Sequence, residues 1–129
     1  MRYVTARKSA VGHGASHTGT QHHWWMTVSS VALAVLTPSF LMVIGTALQI
    51  PERADILAYL SRPYPAIVIA IFMTLGMLHF IKGTRIMIDD YFDHTARKVA
   101  LISAAIFGWA VIAITLFALA RVMLATATI

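Results

Sequence analysis

Three apolar runs, residues 24–50, 66–88 and 99–120, limit what this chain can fold into, and the first and third contain no charged residue. Each can cross a ~30 Å hydrocarbon layer, which takes about 20 helical residues. No water is available inside that layer, so a spanning segment must pair its own backbone, and a helix does this within one segment. The chain is therefore read as an all-α membrane protein with three transmembrane helices. Only 12% of its 129 residues are charged, where a soluble domain carries about 25%. There is no internal repeat and no stretch outside the runs long enough for a soluble domain.

The basic residues set the orientation. Arg2, Arg7, Lys8, Lys82, Arg85, Arg97 and Lys98 fall in the amino-terminal tail and around the second loop, whereas Arg53, Arg62 and Arg121 fall on the opposite side. Seven against three places the amino terminus and the second loop in the cytoplasm by the positive-inside rule. The net charge of +5 is explained by these flanks, so nucleic acid is not expected as a partner. Residues 1–23 form a basic cytoplasmic tail, and 24–129 form the membrane region. With no cysteine, disulfides, thiolate metal sites and cysteine nucleophiles are excluded.

Local signals refine the picture. Trp24 and Trp25 open the first span at the depth indoles prefer. Pro38 should bend it and free a carbonyl near Ala34, with Thr37 or a neighbouring helix compensating. Between the first two spans, Ile56, Leu57, Tyr59 and Leu60 suit one interfacial turn, ended by Pro63 and Pro65. Three spans make a thin bundle with little room for a site, so a partner chain is expected.

The chemistry concentrates in the second span. His79 lies near its middle, and a titratable group at that depth is paired or functional. At about 100° per residue, Gly83 lies roughly 40° from His79 around the helix and Asp90 about 20°. Asp90 stands about 16 Å further along the axis, at the cytoplasmic end beside Tyr91. Three roles compete for His79 on spacing alone. It can hydrogen-bond across the bundle, with Gly76 and Gly83 serving close helix packing. It can ligate haem iron through one ring nitrogen, the glycines leaving room for a macrocycle. Or, with Asp90, it can line a proton path, as in a small transporter or channel subunit. The cluster Asp89, Asp90, Tyr91 and Asp93, flanked by Lys82, Arg85, Arg97 and Lys98, reads as a salt-bridged turn or as a quinone headgroup site. Reducing a quinone needs a hydrogen-bond donor and a proton supply, which a phenol and a carboxylate provide. In the tail, His13, His17, His22 and His23 match no standard metal-ligand spacing, and His22 and His23 lie near enough to the first span to reach a haem propionate.

The run His79-x-x-x-Gly83 followed by Asp90-Tyr91 resembles the small hydrophobic membrane anchor of succinate dehydrogenase, particularly alpha-proteobacterial members. The basic tail, three-span layout and Gly19-Thr20-Gln21-His22-His23-Trp24-Trp25 are similar too. The resemblance implies a haem b shared with the cytochrome b anchor subunit, for which His79 is an axial iron ligand beside Gly83. It implies ubiquinone held by Tyr91 with Asp90 supporting it, and partner iron-sulfur and flavoprotein subunits that carry the iron-sulfur clusters and FAD. The expected assembly is a hetero-oligomer in a bacterial inner membrane, rather than a mitochondrial one. It would reduce ubiquinone, a related fumarate reductase using menaquinone being the alternative. Nothing in the chain resembles a flavin or iron-sulfur site, so succinate oxidation itself is not expected here. Ile86 stands where the sister anchor would have a second histidine, which favours the smaller anchor. Met26-Thr27 stands where many relatives have Gln-Arg, so a contact made by that arginine must be absent or come from His22, His23 or a partner.

Overall fold

The computed structural model of the chain describes residues 3–12 and 19–127; His13 and His17 lie outside them. Among the described residues the regular structure is all helical: α1 (Ala6–Val11), α2 (Gly19–Leu48), α3 (Arg53–Leu60), α4 (Pro63–Tyr91) and α5 (His94–Ala127). α2, α4 and α5 are each long and apolar enough to cross a membrane. α4 and α5 overrun the predicted spans at both ends, and α2 starts earlier and stops slightly short. Helices continue past the hydrocarbon until a breaker stops them, and composition marks only the hydrocarbon part.

The breakers are identifiable. α1 begins where Thr5 caps it by accepting from the Lys8 amide at 3.3 Å, and ends at Gly12, whose φ of 55° and ψ of −129° suit only glycine. α4 starts at Pro63, where a missing N–H would have been unpaired anyway. At its other end Phe92 turns extended, and α5 begins directly after Asp93. The expected single turn between the first two spans is two turns long, starting at Arg53.

α2 continues unbroken through Pro38, and several of its hydroxyls bond to carbonyls of the preceding turn. Thr37 donates to the Leu33 carbonyl at 2.7 Å, the neighbour of the carbonyl that proline frees. Ser30 donates to Met26 at 2.7 Å and Thr46 to Met42 at 2.8 Å. Such back-bonding lets a hydroxyl face hydrocarbon without an unpaired donor.

The helices form a row rather than a closed bundle. α4 packs against α2 on one side and α5 on the other, and no Cα atom of α2 comes within 8 Å of one in α5 among the described residues. Phe40 of α2 stacks on Phe72 of α4 at 4.0 Å, and Phe80 of α4 meets Phe107 of α5 edge-on at 5.9 Å. The α4–α5 crossing is tightest at Gly108, where an added Cβ would lie 2.6 Å from both Cγ1 and Cδ1 of Ile81. The chain exposes 9976 Å², against roughly 6,700 Å² for a compact soluble domain of this mass. Much of that excess is apolar, as on Val35, Leu48 and Phe117. Lipid is a suitable solvent for such a surface; water is not.

Candidate functional site

α4, the central helix, carries the histidine. His79 is half-buried on the side of α4 that meets α2, and Nδ1 of its ring lies 2.8 Å from Oγ of Ser29. Ser29 is only 2% exposed. Its Oγ is also 2.7 Å from the Trp25 carbonyl and 3.2 Å from that of Met26. No other hydrogen bond to the imidazole is present among the described residues. The opposite side of α4 carries Met77 and Ile81, the residues nearest Gly108 of α5.

The two glycines flanking His79 also face α2. A Cβ on Gly76 would rest at ordinary contact distance, 3.8 Å, from Leu33, and one on Gly83 would come within 3.3 Å of Cε of Met26. Both serve close packing of α2 on α4. Beside Gly83 the neighbour is the flexible end of a methionine, a side chain that reshapes readily. Met26, at the position where an arginine-bearing pair was expected, therefore supplies an apolar, movable wall.

One turn nearer the amino-terminal end of α2, the Trp25 ring lies beneath the Lys82 ammonium, with Nζ 4.3 Å from the ring centroid. A cation over an indole face is attracted by about 0.5–2 kcal/mol depending on solvation. Nε1 of Trp25 is buried with no hydrogen-bond partner among the described residues. Beside this pair, Gln21, His22, Lys82 and Arg85 line a cavity of about 260 Å³. His22 thus sits with two cations at the end of the α2–α4 seam where α2 begins, and His23, one residue on, is exposed and does not line the cavity.

The acidic cluster separates into two parts. Asp89 is tied down: Nε of Arg97 lies 2.7 Å from Oδ1, and Nε of Arg85 lies 3.8 Å from Oδ2. This pins the end of α4 to the start of α5. Asp90 and Tyr91, by contrast, are exposed, Tyr91 at 81%, and neither makes an ion pair or side-chain hydrogen bond among the described residues. A cavity of about 460 Å³ beside the link is lined by Asp89, Phe92, Asp93, His94, Arg97, Lys98 and Leu101, not by Asp90 or Tyr91. Because α4 is unbroken from His79 to Tyr91, the imidazole and the Asp-Tyr pair share one rigid rod with the expected separation of about 16 Å.

The donor set can be tested against a haem. No group of three or more metal-ligating side chains occurs among the described residues. One histidine alone is what a shared macrocycle needs from each of two chains, and the His79 ring has one nitrogen not engaged by protein among the described residues. Sequence reasoning singled out His79, Gly83, Asp90 and Tyr91, but did not bring Ser29 to His79 or Trp25 to Lys82. The only signal for Ser29 was a hydroxyl deep in a charge-free span, a position at which any of several partners is possible.

Comparison with known proteins adds an independent line. Residues 1–120 match the family described as succinate dehydrogenase/fumarate reductase transmembrane subunit. The chain is 59% identical over 121 residues to the succinate dehydrogenase hydrophobic membrane anchor subunit of Paracoccus denitrificans, covering 94% of this chain and 93% of that protein. No solved structure matches it.

Proposed function

Because the chain belongs to the succinate dehydrogenase/fumarate reductase transmembrane subunit family, and is a three-helix membrane anchor within it, we propose that it is the smaller anchor of a succinate:ubiquinone oxidoreductase. In this reading it shares a haem b with a cytochrome b anchor subunit. It holds an iron-sulfur and a flavoprotein subunit on the cytoplasmic side of a bacterial inner membrane. The observation that carries the proposal is a mid-membrane imidazole on the central helix, in line with an exposed Asp-Tyr pair at that helix's cytoplasmic end.

His79 would hold the haem iron from this chain, and beside Gly83 the flexible end of Met26 would have to yield to make room for the macrocycle. When bound, haem b supplies a one-electron store within the membrane. His22, Lys82 and Arg85 line a cationic cavity suited to a carboxylate such as a propionate. Taking up the role expected of the absent arginine, they would hold that carboxylate at the cytoplasmic end of the α2–α4 seam.

Ubiquinone reduction takes two electrons and two protons. Electrons come from the partner iron-sulfur subunit, and FAD belongs to the flavoprotein. Tyr91 donates a hydrogen bond to a quinone carbonyl oxygen, which favours the charge that develops there on reduction. Asp90, exposed at the same helix end, passes protons in from the cytoplasmic side. Neither residue lines a cavity of this chain, so partner subunits complete the pocket. Asp89, held by Arg97 and Arg85, keeps the α4–α5 link in place and is not the proton carrier.

The test is a pair of variants in the purified complex. His79→Ala should abolish the six-coordinate bis-imidazole spectrum; an unchanged spectrum would remove His79 as a ligand. Tyr91→Phe should slow ubiquinone reduction at least severalfold and leave succinate-to-dye electron transfer intact. Equal loss of both rates would refute the quinone assignment. The matched family also includes fumarate reductases, and faster turnover with menaquinol and fumarate than with succinate and ubiquinone would assign the chain there.

A further inference from the structure

We propose that Ser29 is a positioning residue for His79: its hydroxyl selects the imidazole tautomer that leaves Nε2 unprotonated, and it fixes the ring in that orientation. This role rests on the haem reading above and adds to it a residue on a different helix.

Counting protons decides the tautomer. Ser29 has one hydroxyl proton, and Oγ has three neighbours within hydrogen-bond distance: the Trp25 carbonyl at 2.7 Å, the Met26 carbonyl at 3.2 Å and Nδ1 of His79 at 2.8 Å. Carbonyl oxygens only accept, so the contacts to Trp25 and Met26 can be made only by that proton. Neutral imidazole has one N–H and one lone pair. If the N–H is on Nδ1, it donates to Oγ while Oγ donates to Trp25, and every donor in the group has an acceptor. If the N–H is on Nε2, the hydroxyl must turn from its short carbonyl contact toward Nδ1, and Nε2–H has no acceptor among the described residues. A donor left unpaired away from water is penalised, which favours the first arrangement by roughly fivefold or more in population. Nε2 then presents its lone pair, as an iron ligand requires.

The surroundings make the contact rigid. Ser29 is 2% exposed, and its hydroxyl is anchored to the α2 backbone a turn earlier. Leu33 against Gly76 and Met26 against Gly83 hold the two helices together on either side of it. Partners of this kind orient a ligating histidine and raise its basicity, and their loss typically costs 10–100-fold in affinity. Donation from Nδ1–H makes the ring a stronger donor and so favours ferric over ferrous iron.

The experiment uses the whole complex in mild detergent, with assembly checked by succinate-to-dye activity. In Ser29→Ala the haem midpoint potential should rise, the low-spin electron paramagnetic resonance g values should move, and haem transfer to apomyoglobin should accelerate about tenfold or more. Ser29→Thr, which keeps the hydroxyl, should restore the potential. Ser30→Ala is the control, since it loses the same kind of back-bond to Met26 at an exposed position, and should match the parent in all three measurements. Parent-like values in Ser29→Ala, or equal shifts in the Ala and Thr variants, would overturn the inference while the loss of six-coordination in His79→Ala still upheld the haem reading. Six-coordination retained in His79→Ala would overturn both.

Discussion

Replacing Gly108 by alanine should destabilise the α4–α5 pair, and the same replacement should become stabilising once Ile81 is cut back to alanine. The new methyl carbon would sit 2.6 Å from Cγ1 and Cδ1 of Ile81 and 3.6 Å from the Met77 carbonyl oxygen, whereas carbons pack best at about 3.5–4.0 Å. Ile81 cannot escape by moving only its terminal methyl, because Cγ1 is equally close and a β-branched side chain in a helix has one strongly preferred χ1. Either the side chain leaves its rotamer or the helices part, and overpacking of this kind costs about 1–3 kcal/mol. Against it stands the gain of alanine over glycine within a helix, about 0.8–1 kcal/mol. The net expectation is a loss of up to about 2 kcal/mol in the parent, and a gain near 1 kcal/mol beside Ile81→Ala, where both clashing atoms are gone. The assay is the thermal midpoint of the four variants, assembled and in mild detergent, compared as a double-mutant cycle. Stabilisation by Gly108→Ala in both backgrounds would refute the close approach of α4 and α5 at this point.

Three further expectations follow from the cytoplasmic end and the orientation. Asp89→Asn should barely move the thermal midpoint, because its ion pairs with Arg97 and Arg85 are solvent-exposed and such pairs contribute little, and should leave ubiquinone reduction close to the parent rate; a collapse of that rate would move the proton role from Asp90 to Asp89. Asp90→Asn should slow ubiquinone reduction and spare succinate-to-dye activity, and equal effects on both would exclude it from the quinone site. Single cysteines can be placed on this cysteine-free background: Thr95→Cys should react with a membrane-impermeant maleimide only from the cytoplasmic side and Ala54→Cys only from the other. Reversed labelling would invert the topology.

Much of this was legible in the chain because lipid imposes strong rules. Long charge-free runs report the number of spans, and a histidine in the second run stands out against its apolar neighbours. The facing of the helices was not legible. In water an apolar stripe marks the buried side of a helix, but in a membrane the lipid side and the packed side are both apolar. Nothing along residues 24–50 therefore distinguishes Ser29, which meets His79, from Ser30, which is exposed. Gly108 was passed over for the same reason, since its importance lies in the isoleucine opposite. The end of α4 reads as one acidic cluster in the sequence, and only the placement of Arg97 across the link separates the ion-paired Asp89 from the exposed Asp90.

No Cα atom of α2 lies within 8 Å of one in α5 among the described residues, so, apart from the short α3 that packs on both, the two seams are joined through α4. Damage along one seam should therefore be thermodynamically silent along the other, in the way distant sites add without interaction. An engineer could redesign the outer helix, or fuse a reporter to it, while the imidazole and its serine stay as they are.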